Sequence, residues 1–256
     1  FMLVQIYYFF YFIRMKMIKL DAIDSTNSYL KRLLLKDSLD DLTVVVSKHQ
    51  TRGKGRNGNI WENQASLNLA FSIYKKFNNL NIKDKFMLNV ISSLSVFQLL
   101  KENNLNKLTI KWPNDIMAGN GKISGILIEN SVKGKLINHS IIGIGINVNQ
   151  KKFNDLPNAT SLFMETGLEF SLDSLASRLV EIFSKNFLRF KKNEEDLLKF
   201  YNNQLYLKNI DSNFIGLDKK KFSGKIICVN IKGELKIRKT NKEEINYSEN
   251  KIKFMP

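Results

Sequence analysis

The sequence predicts an α+β fold, a sheet covered by helices and followed by a small β region, on three observations. Residues 84–102 and 171–190 place apolar side chains at helical spacing: Met87, Val90, Ile91, Leu94 and Phe97 in the first, Leu172, Leu175, Ala176, Leu179, Phe183 and Phe187 in the second. The runs 43–47, 67–73, 108–111, 123–128 and 136–148 are β-branched or alternate with the period of a strand. After Tyr206 the pattern changes to short strand-like segments, 222–229 and 234–238, with lysine- and glycine-bearing turns between them. We therefore expect a main domain over 15–205 and a small β domain over 206–256.

The elements follow in order. Phe1 to Ile13 is almost entirely apolar and aromatic, and Arg14, Lys16 and Lys19 come after it. Spanning a bilayer takes about 20 apolar residues, and a signal peptide carries its positive charge first, so residues 1–14 read as a non-native or disordered extension, with the natural start at Met15 or Met17. Ile18-Lys19-Leu20 is a short strand, and Asp24-Ser25-Thr26-Asn27 suits a helix N-terminus ahead of Tyr29, Leu30, Leu33 and Leu34. The strand-like Thr43 to Ser47 leads toward Arg52-Gly53-Lys54-Gly55-Arg56-Asn57-Gly58. Glycines free the backbone to aim N–H groups at an anion, and the three cations add charge-assisted bonds. The spacing Gly-x-Gly-x-x-Gly also matches a dinucleotide site, but that needs a helix at the third glycine, and a strand-like run follows here. An anion-covering loop and a solvated basic turn both remain open on this segment alone.

A second block, Lys111-Trp112-Pro113-Asn114-Asp115, precedes Lys122-Ile123-Ser124-Gly125. Pro113 ends a strand, which leaves Asn114 and Asp115 in a turn and Lys122 opening the next strand. Lysine, asparagine and aspartate side by side can bind phosphate, a nucleotide edge and magnesium.

Composition narrows the class. The net charge is +16, of which +6 lies in residues 204–256 (12 Lys and Arg, 6 Asp and Glu) and +10 in the first 203 residues. So even a spread points to acidic or phosphorylated small partners more than to a nucleic-acid patch, and no aromatic RNA-binding signature or helix-turn-helix pair is present. One cysteine, Cys228, excludes an internal disulfide and suits a reducing cytoplasm; its apolar neighbours make it a small core residue. His49 and His139 read as structural, Trp61 and Trp112 as core or wall residues.

Taken together, Asp24 to Asn27, Gln50 to Gly58, Lys111 to Asp115, Lys122 to Gly125 and Gly143-Ile144-Gly145-Ile146-Asn147-Val148-Asn149 resemble the biotin–protein ligases, over about residues 18–200 and more weakly beyond. The resemblance implies a mixed sheet backed by helices, the biotin/lipoyl ligase-like catalytic domain, with a small SH3-like β domain after it. It implies synthesis of biotinyl-5′-adenylate from biotin and ATP, and transfer of the biotinyl group to a lysine of the biotin carboxyl carrier protein of acetyl-CoA carboxylase. Residue by residue, Lys122 matches the catalytic lysine and Arg56 assists it. Ser25, Thr26, Asn27, Gln50, Gly53, Lys54, Gly55, Arg56 and Lys122 match the biotin site. Arg52, Arg56, Lys111, Asn114 and Asn147 are expected at ATP, with Asp115 at Mg2+, and Gly143 and Gly145 let a nucleotide lie close to the backbone. Lys54 stands where many members carry arginine, which keeps the charge and loses the planar fork.

Lipoate– or octanoate–protein ligase is the nearest alternative, and a basic nucleic-acid-binding module a remote one. With 24 residues ahead of Ser25 there is no room for a winged helix, so DNA binding is not expected. No membrane association is expected either, and a homodimer is allowed.

Overall fold

The computed structural model describes residues 16–62, 64–153, 156–190 and 192–255. The expected extension over 1–14 therefore lies outside the described residues. Among the described residues, no helix is long and apolar enough to cross a membrane.

Seven strands form the main sheet: β1 (Met17–Ile23), β2 (Val44–Gln50), β3 (Asn68–Asn81), β4 (Leu108–Lys111), β5 (Asp115–Ala118), β6 (Gly121–Lys133) and β7 (Leu136–Asn147), in the order β1-β2-β3-β7-β6-β5-β4. β1 and β2 run parallel and the other neighbours antiparallel, so the sheet is mixed, as the resemblance implies. Helix α1 (Thr26–Leu34) lies against β2, β3 and β7. α2 (Lys85–Glu102) and α4 (Leu172–Phe190), packed on each other, touch the sheet through β4, β5 and β6 and through β3 respectively.

Strand alternation sorts the two faces. On β7, Ile142, Ile144 and Ile146 join the large core with α2 and α4, while Ile141 packs in a small cluster with Leu30 of α1, Val45 and Tyr74. Gly143 and Gly145 share the α1 face with Ile141, and that leaves room above the sheet centre.

Short elements depart from the sequence reading. Asp115, expected in a turn, opens β5 and pairs with Lys111 across the hairpin. Only Ile116-Met117-Ala118 follows before Gly119, too short a run to signal a strand. Helices α3 (Leu162–Thr166) and α5 (Glu194–Asn203) are additions. α5 buries only Leu197 and Tyr201, one turn apart, and Asn193 caps it by accepting from the Asp196 N–H at 3.2 Å.

Beyond α5, β8 (Asp211–Gly216), β9 (Lys221–Val229), β10 (Leu235–Lys239), β11 (Glu244–Tyr247) and β12 (Ile252–Phe254) form an antiparallel sheet ordered β11-β10-β9-β8-β12. Its Phe214, Ile226, Val229, Leu235 and Ile237 belong to the same core as α2 and α5. The Trp112 indole N–H donates to the Gly233 carbonyl at 3.0 Å, tying the β4–β5 turn to the small sheet. Cys228 is half-buried in β9 and free, not a core residue, because its side chain alternates away from buried Val229.

Candidate active site

A cavity of about 320 Å³ opens above the glycines of β7, bounded by α1, segment 54–61, the β4–β5 turn and residues 249–254 of the small sheet. Its floor is set by register: Ser72 of β3, Gly143 of β7 and Leu127 of β6 align across three strands, and Ala70, Gly145 and Gly125 align one step along. Each glycine answers a close approach. A Cβ on Gly143 would lie 2.4 Å from Asn27 Oδ1, and one on Gly145 would lie 2.1 Å from Trp61 Cε2. So the Asn27 amide and the Trp61 indole occupy the space expected for a nucleotide, which corrects the sequence reading of these two glycines.

One end of the cavity is polar and built on the start of α1. Ser25 holds the N-cap position in extended conformation, yet its own side chain caps nothing. The first helical N–H, Thr26, instead donates to Gln50 Oε1 at 2.8 Å. The strand residue therefore caps the helix, and the Ser25 hydroxyl, on a residue only 2% exposed, makes no hydrogen bond among the described residues. Arg32 braces the cap from below with two bonds to Asp24, at 2.7 and 2.8 Å, which hold that carboxyl down at about 2. A depressed folded pKa contributes stability that is full above the unfolded value near 3.8 and lost as pH falls through about 2. Asp24→Asn should accordingly flatten the fall of melting temperature between those two values, by a small amount since the pair is half-exposed; an unchanged slope would remove Asp24 from the acid response.

The other end is charged. Lys122 Nζ stands 2.8 Å from Asp115 Oδ1 and 5.7 Å from the centre of the Trp61 ring. Its main chain is pinned on both sides, donating to Asn158 O at 2.6 Å and accepting from Thr160 N at 3.0 Å. The Asp115 contact is an ion pair without hydrogen-bond geometry, and Oδ1 remains a buried acceptor without a donor. Arg56 Nη1 and the Trp61 indole N–H are likewise buried and unpaired among the described residues. Buried polar groups are rarely left so; three around one cavity mark where a polar ligand would be held.

The basic loop closes the cavity from above. Gly55 N donates to Asn59 O at 2.7 Å and Trp61 N to Gly53 O at 3.0 Å, with Asn57 (φ 54°) and Gly58 (φ 79°) in the left-handed region between them. Arg56 pairs with Glu249, and Asn57 donates to Asn250 Oδ1 at 3.0 Å, so the loop is clasped by the small sheet. Burial pulls the Arg56 guanidinium below its ordinary value, opposed by Asp115 and by Tyr201.

The model of the Biotin/lipoate A/B protein ligase family matches residues 20–147, half of the chain. The chain belongs to that family. Among curated relatives, this ligase-family chain is 31% identical over 150 residues to the bifunctional ligase/repressor BirA of Bacillus subtilis, covering 57% of the chain and 46% of the relative. It is 27% identical over 190 residues to the biotin–[acetyl-CoA-carboxylase] ligase of Mycobacterium tuberculosis, covering 72% and 69%. The chain spans about half the length of the first curated relatives it matches. Among solved structures, the biotin protein ligase of Aquifex aeolicus in complex with biotin and ATP superposes with a TM-score of 0.78 at 28% identity, covering 94% of this chain and 99% of that one.

Most site residues named from the sequence meet at the cavity of this family member: Ser25, Thr26, Asn27, Gln50, Lys54, Gly55, Arg56, Asn114, Asp115 and Lys122 line it. Arg52 does not; it is exposed and is not among the lining residues of either cavity. Gly53 is buried as a loop joint, where a Cβ would lie 2.3 Å from Trp61 O. Lys111 and Asn147 line a second cavity of about 290 Å³ that shares Trp61, Asp115 and Lys122 with the first. Asn147 spends its amide on Thr160 O at 3.0 Å, and Asn114 spends its own on Ile126 O at 2.9 Å. Sequence reasoning missed the apolar wall of the second cavity, Phe153, Leu156 and Pro157, and the wall of the first from Glu249 to Phe254. No local pattern marks either segment.

Proposed function

We propose that this chain joins biotin to ATP to form biotinyl-5′-AMP and pyrophosphate, and then transfers the biotinyl group to a lysine of a biotin carboxyl carrier protein. The observation that carries this reading is the Lys122 ammonium at the shared edge of two cavities, one polar and built for a small hydrogen-bonding head, the other apolar-walled and suited to a purine. In the first step a biotin carboxylate oxygen attacks the α-phosphorus and the bond to the pyrophosphate oxygen breaks. Two anions must meet, so cations placed beforehand at the point of contact lower the barrier. Lys122 is positioned for that, and Arg56 and Lys54 line the same cavity. In the second step the neutral amine of the acceptor attacks the acyl carbon, the C–O bond of the mixed anhydride breaks, AMP departs with the electron pair, and the amine proton passes to solvent. An already activated acyl group requires no nucleophilic side chain.

Mg2+ fits the donor set: it takes one or two carboxylates and completes its shell with phosphate oxygens and water, and Asp115 offers a buried oxygen that accepts no hydrogen bond. When bound there, the ion would neutralise the phosphates. Its holding residue would be Asp115, with Lys122 released toward the substrates. Ser25, with its free hydroxyl, and Thr26 face the head of biotin; Asn147 acts through the Thr160 carbonyl to position Lys122. A cytoplasmic location, in keeping with the lone cysteine, and the carrier protein as acceptor belong to the same proposal, as do residues 206–256 as a separate small domain.

Pyrophosphate release with ATP, magnesium and a panel of biotin, lipoate and octanoate tests it. Release is expected with biotin alone. Turnover of lipoate or octanoate without biotin turnover would overturn the reading in favour of the other branch of the family.

A further inference from the structure

We propose that Glu129, with Lys31, is a positioning residue that fixes the direction of a hydrogen-bond chain running from the surface into the buried Asn27, Ser72 and Thr26, and so makes Thr26 present acceptors to the cavity. This deepens the biotin reading and rests on it. The chain runs Lys31, Glu129, Asn27, Ser72, Thr26. Lys31 Nζ lies 2.5 Å from Glu129 Oε1, Asn27 Nδ2 lies 2.9 Å from Glu129 Oε2, and Ser72 Oγ is 2.6 Å from both Asn27 Oδ1 and Thr26 Oγ1. Asn27 and Ser72 are 3% and 0% exposed, so no bulk water intervenes to reorder the protons.

Proton counting settles the direction. A carboxylate only accepts, and the Leu127 carbonyl lies on the same side at 3.4 Å, so the Asn27 NH2 must face both and its Oδ1 must face Ser72. The proton in the Ser72–Asn27 contact can then come only from Ser72. That hydroxyl has one proton, so of the two contacts of Thr26 Oγ1 the 2.6 Å one to Ser72, shorter than the 3.1 Å one to Gln50, takes the proton of Thr26. Thr26 Oγ1 stands 3.1 Å from Gln50 Oε1 but has no proton left for it. Both lone pairs of Thr26 and the spare one of Gln50 are left to receive N–H groups. Ser25, its hydroxyl unengaged, is left to donate. One donor beside acceptors is the complement of a cyclic urea, with its carbonyl and two N–H groups, and not of a dithiolane or an alkyl chain.

Glu129→Gln tests this, since it is isosteric and keeps one acceptor. The ammonium of Lys31 can only donate, so it takes the glutamine carbonyl and leaves the NH2 facing Asn27. Asn27 must then turn over, Ser72 donates to Thr26, and Thr26 donates to Gln50, which fills the acceptors meant for the ligand. We expect E129Q to raise KM for biotin and for dethiobiotin, which keeps the ureido ring, by about tenfold, as for one lost buried hydrogen bond. The KM for ATP and kcat at saturating biotin should stay within about twofold. Adding Lys31→Met frees the glutamine carbonyl to face Asn27 and should restore KM to within about threefold of wild type, an outcome that no packing role for Glu129 produces. If E129Q does not fold, Ser72→Ala breaks the same chain by letting Thr26 donate to Gln50, with the same rise expected. A wild-type enzyme inert toward biotin would overturn the reading beneath this inference. A wild type active on biotin, with KM unchanged in E129Q or in S72A, or with no rescue by K31M, overturns the relay alone.

Discussion

Lys122→Ala is expected to slow adenylate formation by roughly a hundred- to a thousandfold, the loss typical of one preorganised charge-stabilising group, while the protein keeps its fold. The stability side follows from exposure. The Lys122 side chain is 38% exposed, so its end of the ion pair with Asp115 is hydrated, and a pair with one partner in water contributes about 1 kcal/mol. The main chain at 122 remains pinned by Asn158 and Thr160, so the truncated residue leaves the β6 start and the Asn147 contact in place. The catalytic side follows from placement: Lys122 borders both cavities, and in the proposed reaction its charge meets the carboxylate and the α-phosphate as they approach. Single-turnover adenylate synthesis, read beside a thermal melt, separates the two effects. A rate near that of wild type would shift the role to Arg56 or Lys54. Lys122→Arg should recover only part of the loss, since a planar fork does not replace a point charge in the same space.

Gly145→Ala is expected to be nearly as damaging, though it changes no charge and adds one methyl group. That carbon would lie 2.1, 2.4 and 2.5 Å from three atoms of the Trp61 indole. β7 cannot yield, because Gly145 is held between Ala70 and Gly125 in the middle of the sheet. The indole must leave instead, and Trp61 is bonded back to Gly53, so the basic loop is dislodged with it. Misplacing a positioned group by about 1 Å can lower a rate roughly a hundredfold. We expect a loss of that order in adenylate synthesis, a red shift in tryptophan emission and faster proteolytic cleavage between 52 and 61. Trp61→Ala removes the obstacle, so the double variant should be no worse than Trp61→Ala alone. Unaltered emission and activity in Gly145→Ala would show that the indole does not rest on β7 in solution.

How much was legible in the sequence depends on whether the signal is local. Alternation in Gly143-Ile144-Gly145-Ile146 declares a strand, and the isoleucines do face the core. A strand glycine announces a close approach without naming the visitor, and here Asn27 and Trp61 arrive from segments about 115 and 85 residues away by the numbering. Asp24 to Asn27 reads correctly as a helix start, yet the bond that caps it comes from Gln50, which propensity cannot supply. Gly53, expected at the ligand, serves the loop instead. The walls formed by Phe153, Leu156 and Pro157 and by residues between Glu249 and Phe254 carry no motif, since any apolar or polar residue brought there by topology would line a cavity. Glu129 follows the apolar Ile126-Leu127-Ile128 with no motif around it; only the three-strand register shows it beneath α1.

The clasp between Arg56 and Glu249 ties the lid of the cavity to the small sheet. Proteins open in separate cooperative units, and β11 and β12, which between them bury only Ile252, belong to the easily opened end of that range. Fraying of β11 and β12 would unhook the lid and remove one wall while the seven-stranded sheet stood intact. The temperature at which the cavity stops holding a ligand is thus set by these two edge strands, and should fall below the temperature at which the backbone melts.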